Sequence, residues 1–237
     1  MKCVLPFLAA ATTLLVSAPS QADSFMPPSV QEAVSSDGSI AVTVIPAMLS
    51  CAPGETECVA AARAIVERVH GGYRGNSRTI RLVNPQAPGR VLVTDDGERL
   101  LTLDDYASYG FGDNVLVIYG ANGEVIARLG LHDFLPEDYI AGLPRTASTL
   151  RWWAAPARIE PGTHRAVVSV IAVQAADSWP SPGASGFELD LDLDTGEIES
   201  PSGPDWQNAL NCARAQRWLV PDQSAKRERD RYRALCR

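Results

Sequence analysis

The chain has little positive charge, few histidines and no recognisable catalytic motif, and each shortage argues against a class of function. Its 21 lysines and arginines face 28 aspartates and glutamates, a formal net charge of −7. Because general nucleic-acid binding needs a basic surface, we expect no nucleic-acid partner. No C-x₂-C or paired-histidine spacing indicates zinc, and no G-x-S-x-G segment indicates a serine hydrolase. We therefore predict no catalytic residue, no cofactor and no metal.

One long apolar run is present, from Val4 to Val16 at the start of the chain. Lys2 precedes it, and Ser20 and Ala22 place small residues at −3 and −1 of a cut before Asp23. This pattern predicts a Sec-type signal peptide over residues 1–22, because the run is too short to span a membrane. We therefore expect a periplasmic or secreted protein with no transmembrane segment in the mature chain.

The chain has five cysteines, and Cys3 would leave with the signal peptide. The four that remain are Cys51, Cys58, Cys212 and Cys236. An even number of cysteines in an exported chain predicts two disulfides, which three connectivities could form. We favour Cys51–Cys58 and Cys212–Cys236, because each pair is close in sequence and closes its loop at least entropic cost.

Residues 90–129 hold the clearest β pattern, with four short apolar runs in succession. Asp95-Asp96-Gly97 and Asn122-Gly123 separate neighbouring runs and are typical hairpin turns. The alternation predicts one face made of Val91, Val93, Leu101, Leu103, Val115, Val117, Tyr119, Val125, Ala127 and Leu129. It predicts another face made of Leu92, Leu100, Leu116, Ile118 and Ile126. Since both faces are apolar, we expect this sheet to be covered on both sides.

Further β runs lie on either side of this sheet. Residues 40–45 predict a strand, and residues 60–69, whose composition also permits a helix, are interpreted as a hairpin with residues 79–83. Residues 23–36 are interpreted as a loose N-terminal arm. Residues 165–173 and 187–194 predict strands, and we place Trp152 and Trp153 in a strand before them.

Helical patterns occur in two places. Residues 135–143 predict one or two helical turns that begin at Pro136. Trp206, Ala209, Leu210 and Ala213 recur at helical spacing after a Ser202 cap. We therefore predict a signal peptide at 1–22, a β-rich propeller-like domain at 23–200 and a C-terminal helical extension at 201–237. The fold class is mainly β, with antiparallel, propeller-like four-stranded sheets and a short C-terminal helical segment.

A resemblance to known proteins supports this interpretation. The hairpin VTDDGERLLTL, residues 93–103, is similar to those of TolB-like and WD40-like propeller blades. Residues 95–149 resemble a group of exported bacterial proteins of unknown function. That group carries an Asn-Trp-His-like stretch where this chain has Asp105-Tyr106-Ala107, so no histidine chemistry is carried over. Because one blade cannot bury both of its faces alone, the resemblance implies a second, degenerate sheet within residues 152–200.

The loop between two core strands is the strongest candidate site, because it concentrates carboxylates and aromatic rings beside glycines. Such groups suit sugars, peptides or cations. Its candidate ligand-binding residues are Asp104, Asp105, Tyr106, Tyr109, Phe111 and Asp113.

Other chemistry-bearing residues have simpler structural explanations. Asp190, Asp192 and Asp194 have the D-x-D-x-D spacing of a calcium loop but alternate along a strand, as a solvated face does. Asp133, next to His132, is placed to cap a helix. His70 and His164 stand alone in loop-like segments, where we expect exposure rather than catalysis.

The sequence therefore predicts a non-enzymatic binding or scaffold module of the bacterial cell envelope. Its partner would be an envelope protein, a peptide or a glycan. The alternative is a periplasmic hydrolase whose active site is built by loops. A convergent polar pocket with a paired acid and base would favour the hydrolase.

Overall fold

The computed structural model describes residues 26–47, 61–173 and 185–215, and within them the chain forms three antiparallel sheets. The first sheet contains β1 (Gln31–Val34), β2 (Ile40–Ile45), β3 (Arg63–His70) and β4 (Tyr73–Arg81). The middle sheet contains β5 (Pro88–Val93), β6 (Leu100–Asp105), β7 (Leu116–Tyr119) and β8 (Val125–Leu129). The third sheet contains β9 (Arg158–Ile159), β10 (Arg165–Ile171) and β11 (Gly186–Asp192). The predicted fold class is confirmed.

The middle sheet is buried on both faces, as its doubly apolar pattern predicts. One face packs against the first sheet, where Val91, Leu100 and Val117 join the buried residues of β2 and β3. The other face packs against the third sheet and the helices, through residues such as Leu101 and Ile118. The first two sheets are four-stranded meanders, and this layering fits a propeller-like arrangement.

The predicted division of the middle sheet between its faces is wrong at several positions. Val93 lies opposite Leu100 and Leu92 lies opposite Leu101. Directly opposed residues of antiparallel strands share a face, so Leu100 belongs with Val93 and Leu101 does not. The misplaced residues are Leu100, Leu101, Leu103, Val115, Ala127 and Leu129.

In the first sheet the predicted hairpin is confirmed, but two boundaries are wrong. The hairpin joins β3 and β4 through Gly71 and Gly72, both with positive φ, as a two-residue turn requires. The second strand of the hairpin, expected at residues 79–83, already begins at Tyr73. The N-terminal arm also contains an edge strand, β1, because its main-chain groups pair with β2, although only two of its four residues are apolar.

The third sheet confirms the strict alternation predicted for its last strand. Leu189 and Leu191 are buried, whereas Glu188 and Asp190 are exposed. The expected strand at the tryptophans is reduced to an isolated bridge. The Ile171 amide donates to the Trp152 carbonyl at 2.8 Å, which holds this segment beside β10.

Two helices close one side of the large core. A 3₁₀ turn, Leu131–Asp133, leads into α1 (Glu137–Gly142), and α2 (Gly203–Ala215) follows the third sheet. The Trp206 ring lies 4.3 Å from that of Tyr139 and 5.3 Å from that of Phe187. A Cβ on Gly142 would lie 2.4 Å from the Ala213 Cα, so this close helix contact requires glycine.

Hairpin turns from all three sheets meet at one end of the molecule around Asp95 and Asp96. The Asp95 carboxylate accepts hydrogen bonds from the Asp37 amide at 3.0 Å and the Gly162 amide at 2.8 Å. His164 lies between Asp96 at 2.7 Å and Asp194 at 2.8 Å. The prediction that His164 stands alone is therefore wrong, because the fold brings together turns that are distant in sequence.

Several predictions fall on residues outside the described ranges. These include the signal peptide, Cys51, Cys58 and Cys236, so the two predicted disulfides stay predictions. Cys212 lies buried in α2. Within the described ranges, none of the helices is both long and apolar enough to cross a membrane.

Candidate functional site

A cavity of about 200 Å³ lies between the middle and third sheets. Residues of β5, β6 and β10 contribute to it, together with the candidate loop and the segment 152–157. Its polar and aromatic lining includes Arg90, Asp104, Tyr109, Trp152, Trp153 and Ser169. We call this cavity the Asp104 pocket. Two of the six predicted site residues, Asp104 and Tyr109, therefore line one pocket.

Asp104 is the unusual residue of this pocket, because its carboxyl group is buried near the end of a core strand. Its Oδ1 accepts a hydrogen bond from the Gly110 amide at 2.7 Å and one from Trp152 Nε1 at 3.0 Å. Burial is the main cause that raises the pKa of Asp104 to about 7, and the nearby charge of Asp105 acts in the same direction. The two hydrogen bonds oppose this shift. Asp104 therefore changes its charge near neutral pH.

Tyr109 forms a wall of the pocket and is fixed by its backbone and its ring. The Leu150 amide donates to the Tyr109 carbonyl at 2.8 Å. Its ring lies 6.1 Å from that of Trp153 at a tilt of 49°. A Cβ on Gly89 would lie 2.6 Å from Tyr109 Cε1, so β5 admits the ring because it carries glycine there. Burial raises the pKa of Tyr109 above its ordinary value.

Gly110 lets the candidate loop turn beneath the tryptophan segment. Its φ is +73°, and a Cβ there would lie 2.5 Å from the Leu150 carbonyl oxygen. Both the conformation and the space exclude a larger residue. The Gly110 amide can therefore point at the Asp104 carboxylate, and the loop is held in a defined shape.

Asp105 lies outside the pocket lining, in a polar network that joins strand ends. Asn84 Nδ2 donates to its Oδ1 at 2.8 Å, and Asn114 Nδ2 donates to both carboxylate oxygens at 3.1 and 2.9 Å. Arg128 Nε donates to the Asn114 Oδ1 at 2.5 Å. Burial raises the pKa of Asp105, and the hydrogen bonds from Asn114 and Asn84 limit the rise. The contacts of Asp105 indicate a structural role.

The other three predicted site residues also lie away from the pocket lining. The Tyr106 hydroxyl donates to the Met26 carbonyl and so ties the N-terminal segment to the loop. Phe111 is partly buried against the large core. Asp113 is exposed and forms a 3.8 Å ion pair with Arg128. The structure thus divides the predicted set into two pocket residues and four peripheral ones.

Sequence reasoning missed Trp152, Trp153, Arg90 and Ser169 as parts of the site. The tryptophan doublet was the available signal, because neighbouring side chains of an extended segment point to opposite sides, so both rings of the doublet do not enter the same core layer. Trp152 is almost fully buried and bonded to Asp104, whereas Trp153 is partly exposed. The Arg151 guanidinium lies 4.7 Å from the centre of the Trp153 ring.

The residues interpreted as structural have structural contacts. Asp192 accepts bonds from the Asp194 and Thr195 amides at 2.9 and 3.0 Å, so it shapes a turn. Asp133 accepts a bond from the Gly130 amide at 2.7 Å and caps the 3₁₀ turn. Among the residues that the structure describes, no group of three or more histidine, cysteine or acidic side chains is placed to hold a metal.

Comparison with known proteins gives distant similarities of backbone. No family model and no curated protein matches the chain. A Bacteroides fragilis protein assigned as a 6-phosphogluconolactonase matches at 15% identity and a TM-score of 0.33, over 71% of this chain and 36% of its own. A chain from a structural study of two prolyl endopeptidases matches at 13% identity and a TM-score of 0.30, over 73% of this chain and 26% of its own. The chain thus spans well under half the length of either protein, and neither activity is carried over.

Proposed function

We propose that this chain is an exported binding module of the bacterial cell envelope, whose ligand enters the Asp104 pocket. The observation that carries the proposal is a preformed cavity that combines aromatic walls with one buried carboxyl group. Mostly apolar pockets with a few fixed polar groups are the usual form of ligand sites. The glycines at 89 and 110 and the bonds to Asp104 hold the pocket in this shape.

The size of the pocket indicates what kind of ligand it accepts. Pockets for drug-sized molecules have volumes of roughly 300–1,000 Å³. A cavity of about 200 Å³ instead suits one side chain or one small group of a larger partner. A peptide or a glycan that places a single group in the pocket fits both this size and the partner classes expected from the sequence.

A hydrolase is the second candidate, because an acid with a pKa near 7 is suited to general acid–base catalysis. Ser169 also lines the pocket. A nucleophile needs a base within hydrogen-bond reach, and that base needs an orienting partner. The bonds to the Asp104 carboxyl group come from the Gly110 amide and the Trp152 indole, which position it rather than activate a nucleophile. The geometry therefore favours binding.

A variant in which the pocket is filled distinguishes ligand binding from hydrolysis. Ala155 is exposed at the pocket, so Ala155→Phe should fill the cavity without disturbing the core. Val125→Phe, at an exposed strand position outside the pocket lining, is the matched control. Low-mass envelope extract would be passed over each protein, and the retained and released compounds would be compared by mass spectrometry.

The binding proposal expects a compound retained by the wild type and by Val125→Phe, lost by Ala155→Phe and released chemically unchanged. Equal retention by Ala155→Phe would show that the pocket is not the site. Pairs of products whose masses sum to that of a substrate plus one water, formed by the wild type and not by Ala155→Phe, would establish the hydrolase instead.

The export part of the proposal rests on the predicted signal peptide and on the resemblance to exported bacterial proteins. N-terminal sequencing of protein from the envelope fraction should give Asp23 as the first residue. Thiol labelling should find the four remaining cysteines unreactive. A retained leader, or four reactive thiols in the native protein, would overturn this part.

A further inference from the structure

We propose that the Asp104 pocket binds an ammonium group on an aliphatic stem, such as the side chain of a lysine in a peptide partner. This inference rests on the proposed function, because it names the chemistry of the ligand at the same site. It is drawn from the carboxyl group, the aromatic rings, the apolar walls and the charges around the pocket.

The carboxyl group retains capacity for a new donor. Oδ1 accepts both short bonds, from the Gly110 amide and from Trp152 Nε1. The bond found to Oδ2 among the described residues is the longer one, 3.3 Å from Trp152 Nε1. An ionised carboxylate has about four lone-pair sites, so an ammonium hydrogen can be accepted without displacing the existing bonds. A charge-assisted bond of this kind is stronger than one between neutral groups.

The aromatic rings add a second attraction for positive charge. Tyr109, Trp152 and Trp153 all line the pocket, and the negative face of such rings attracts cations. The Trp153 ring shows this preference, since the Arg151 guanidinium lies 4.7 Å from its centre, although the charge of Arg151 opposes a second cation on that ring. A carboxylate beside aromatic rings is therefore selective for a cationic group.

The remaining lining matches an aliphatic stem rather than a sugar. Leu103, Val168 and Ala157 are buried apolar residues of the pocket. The hydroxyl groups of a saccharide would lose water against these walls with few partners to replace it, which costs free energy for every unpaired group. A lysine side chain buries its methylene groups against such walls and presents a single charged end.

The charged groups around the pocket determine whether it attracts or repels a cation. Arg90 on β5 is a positive residue of the lining and opposes a cation, but it is exposed, so solvent and salt screen it. Asp105 adds negative charge next to Asp104, and Trp152 Nε1 and the Gly110 amide are neutral donors. Tyr109 is neutral near pH 7, since the ordinary pKa of tyrosine is about 10 and burial raises that of Tyr109 further. The net charge of −7 further favours the approach of a basic partner.

Proton linkage gives the inference a measurable signature. A cation prefers the ionised form of Asp104, and the competent fraction of the protein grows as the pH passes the pKa of about 7. Apparent affinity scales with this fraction, so binding should tighten about tenfold between about pH 6 and pH 8. An alkylammonium ion remains protonated over this range, because its pKa is near that of lysine at about 10.4.

The test uses n-butylammonium, n-butanol and butyrate as aliphatic probes of four carbons each that differ in charge. Binding is followed by the NMR shift of the Trp152 indole N–H in the full mature chain. Asp104→Asn removes the charge and keeps an acceptor for Gly110 and Trp152. Arg90→Gln removes the opposing charge. Asp190→Asn, the same change as at Asp104 but at an exposed position of β11 outside the pocket lining, is the matched control.

The inference predicts that butylammonium binds more tightly than either other probe, and about tenfold more tightly at about pH 8 than at about pH 6. Asp104→Asn should weaken butylammonium binding by at least about tenfold, since a charge-assisted bond is lost. Arg90→Gln should tighten it, because a charge that opposes the cation is removed, and Asp190→Asn should leave it unchanged. The Arg90 result keeps the test decisive even if Asp104→Asn does not fold.

Three outcomes would overturn the inference. One is butyrate binding that is lost in Arg90→Gln, which would make the ligand an anion. Another is butanol binding equal to that of butylammonium, which would make the site simply apolar and leave the proposed function intact. The third is no response of the Trp152 indole to butylammonium. Failure of the proposed function itself would be seen separately, as retention of envelope compounds by Ala155→Phe.

Discussion

Asp104 is the residue at which the fold and the candidate site meet. Its φ of +55° lies in the left-handed region, which costs a residue other than glycine about 1 kcal/mol. The hydrogen bonds from Gly110 and Trp152 offset this cost and aim the carboxyl group. Asp104 thus combines a strained backbone with a buried acid whose pKa is shifted. This combination is typical of functional residues rather than of residues that only pack in the core.

Asp104→Asn should change how stability depends on pH. Below the unfolded-state value of 3.8 both states hold the proton, whereas between 3.8 and about 7 the unfolded state releases it first. Wild-type stability should therefore fall over this interval, by an amount on the order of 4 kcal/mol. Asparagine does not titrate, so its curve should lack this fall. Urea unfolding of both proteins at about pH 4 and pH 8 measures the difference, and parallel curves would contradict the assignment.

Alanine substitutions at Gly110 and Gly112 distinguish the cost of backbone strain from the cost of a steric clash in the candidate loop. Gly110 and Gly112 have similar φ values of +73° and +75°, but a Cβ would collide with the Leu150 carbonyl at Gly110 and meet nothing at Gly112. Gly112→Ala should cost about 1 kcal/mol. Gly110→Ala should cost clearly more and shift the Trp152 indole signal. Chemical denaturation and NMR of both variants provide the measurement, and equal costs with an unmoved indole would show that the close packing at Gly110 is unimportant.

At the scale of the elements, the sequence predicts strands better than their pairing. Asn122-Gly123 and Asp95-Asp96-Gly97 mark the hairpins because turns with positive φ need these residues, and Gly97 and Gly123 have φ values of +77° and +84°. The register between β5 and β6 was not predicted, because both strands are apolar on both faces. When the pairing is shifted by one residue, apolar side chains still occupy both faces, so the hydrophobic pattern does not distinguish the two registers.

The contact of His164 with two carboxylates joins the turn between β5 and β6 to the third sheet. Both ring nitrogens face carboxylate oxygens, an arrangement that favours the doubly protonated, cationic imidazole. The hydrogen bond to Asp96, followed by that to Asp194, raises the pKa of His164 above its ordinary value, although partial burial opposes the rise. Partial burial likewise opposes the fall at Asp96, but bonds from Thr94, the Glu98 amide and His164 lower its pKa to about 2.

His164→Gln should therefore destabilise the protein most in mildly acidic solution. A raised histidine pKa stabilises the fold fully below the unfolded value of about 6.5, and this contribution is lost as the pH rises through the folded value. Unfolding free energies of wild type and variant should differ more at about pH 5 than at about pH 9. His132→Gln, at an exposed histidine, is the control for the substitution itself and should change the unfolding free energy little. A His164 difference that is the same at both pH values would show that the contact is not ionic.

At the scale of the molecule, local patterns predicted the mainly β class, the doubly covered middle sheet and the burial of α2. Trp206, Ala209 and Ala213 are buried as their helical spacing predicts. The pocket could not be derived in this way, because Asp104 and Trp152 are 48 residues apart and meet only when the middle and third sheets pack. The edge strand β1 was missed because its pairing is made by main-chain groups that leave little trace in the side-chain pattern.

The measurement that tests the account most directly is the titration of the Asp104 carboxyl carbon by ¹³C NMR, with and without saturating n-butylammonium. The account predicts a midpoint near 7 in the free protein, because burial disfavours the charged form. It predicts a lower midpoint with the amine bound, since a cation that prefers the carboxylate must by linkage make the proton easier to remove. A free midpoint near the ordinary value of 3.8, or one that the amine does not move, would contradict it.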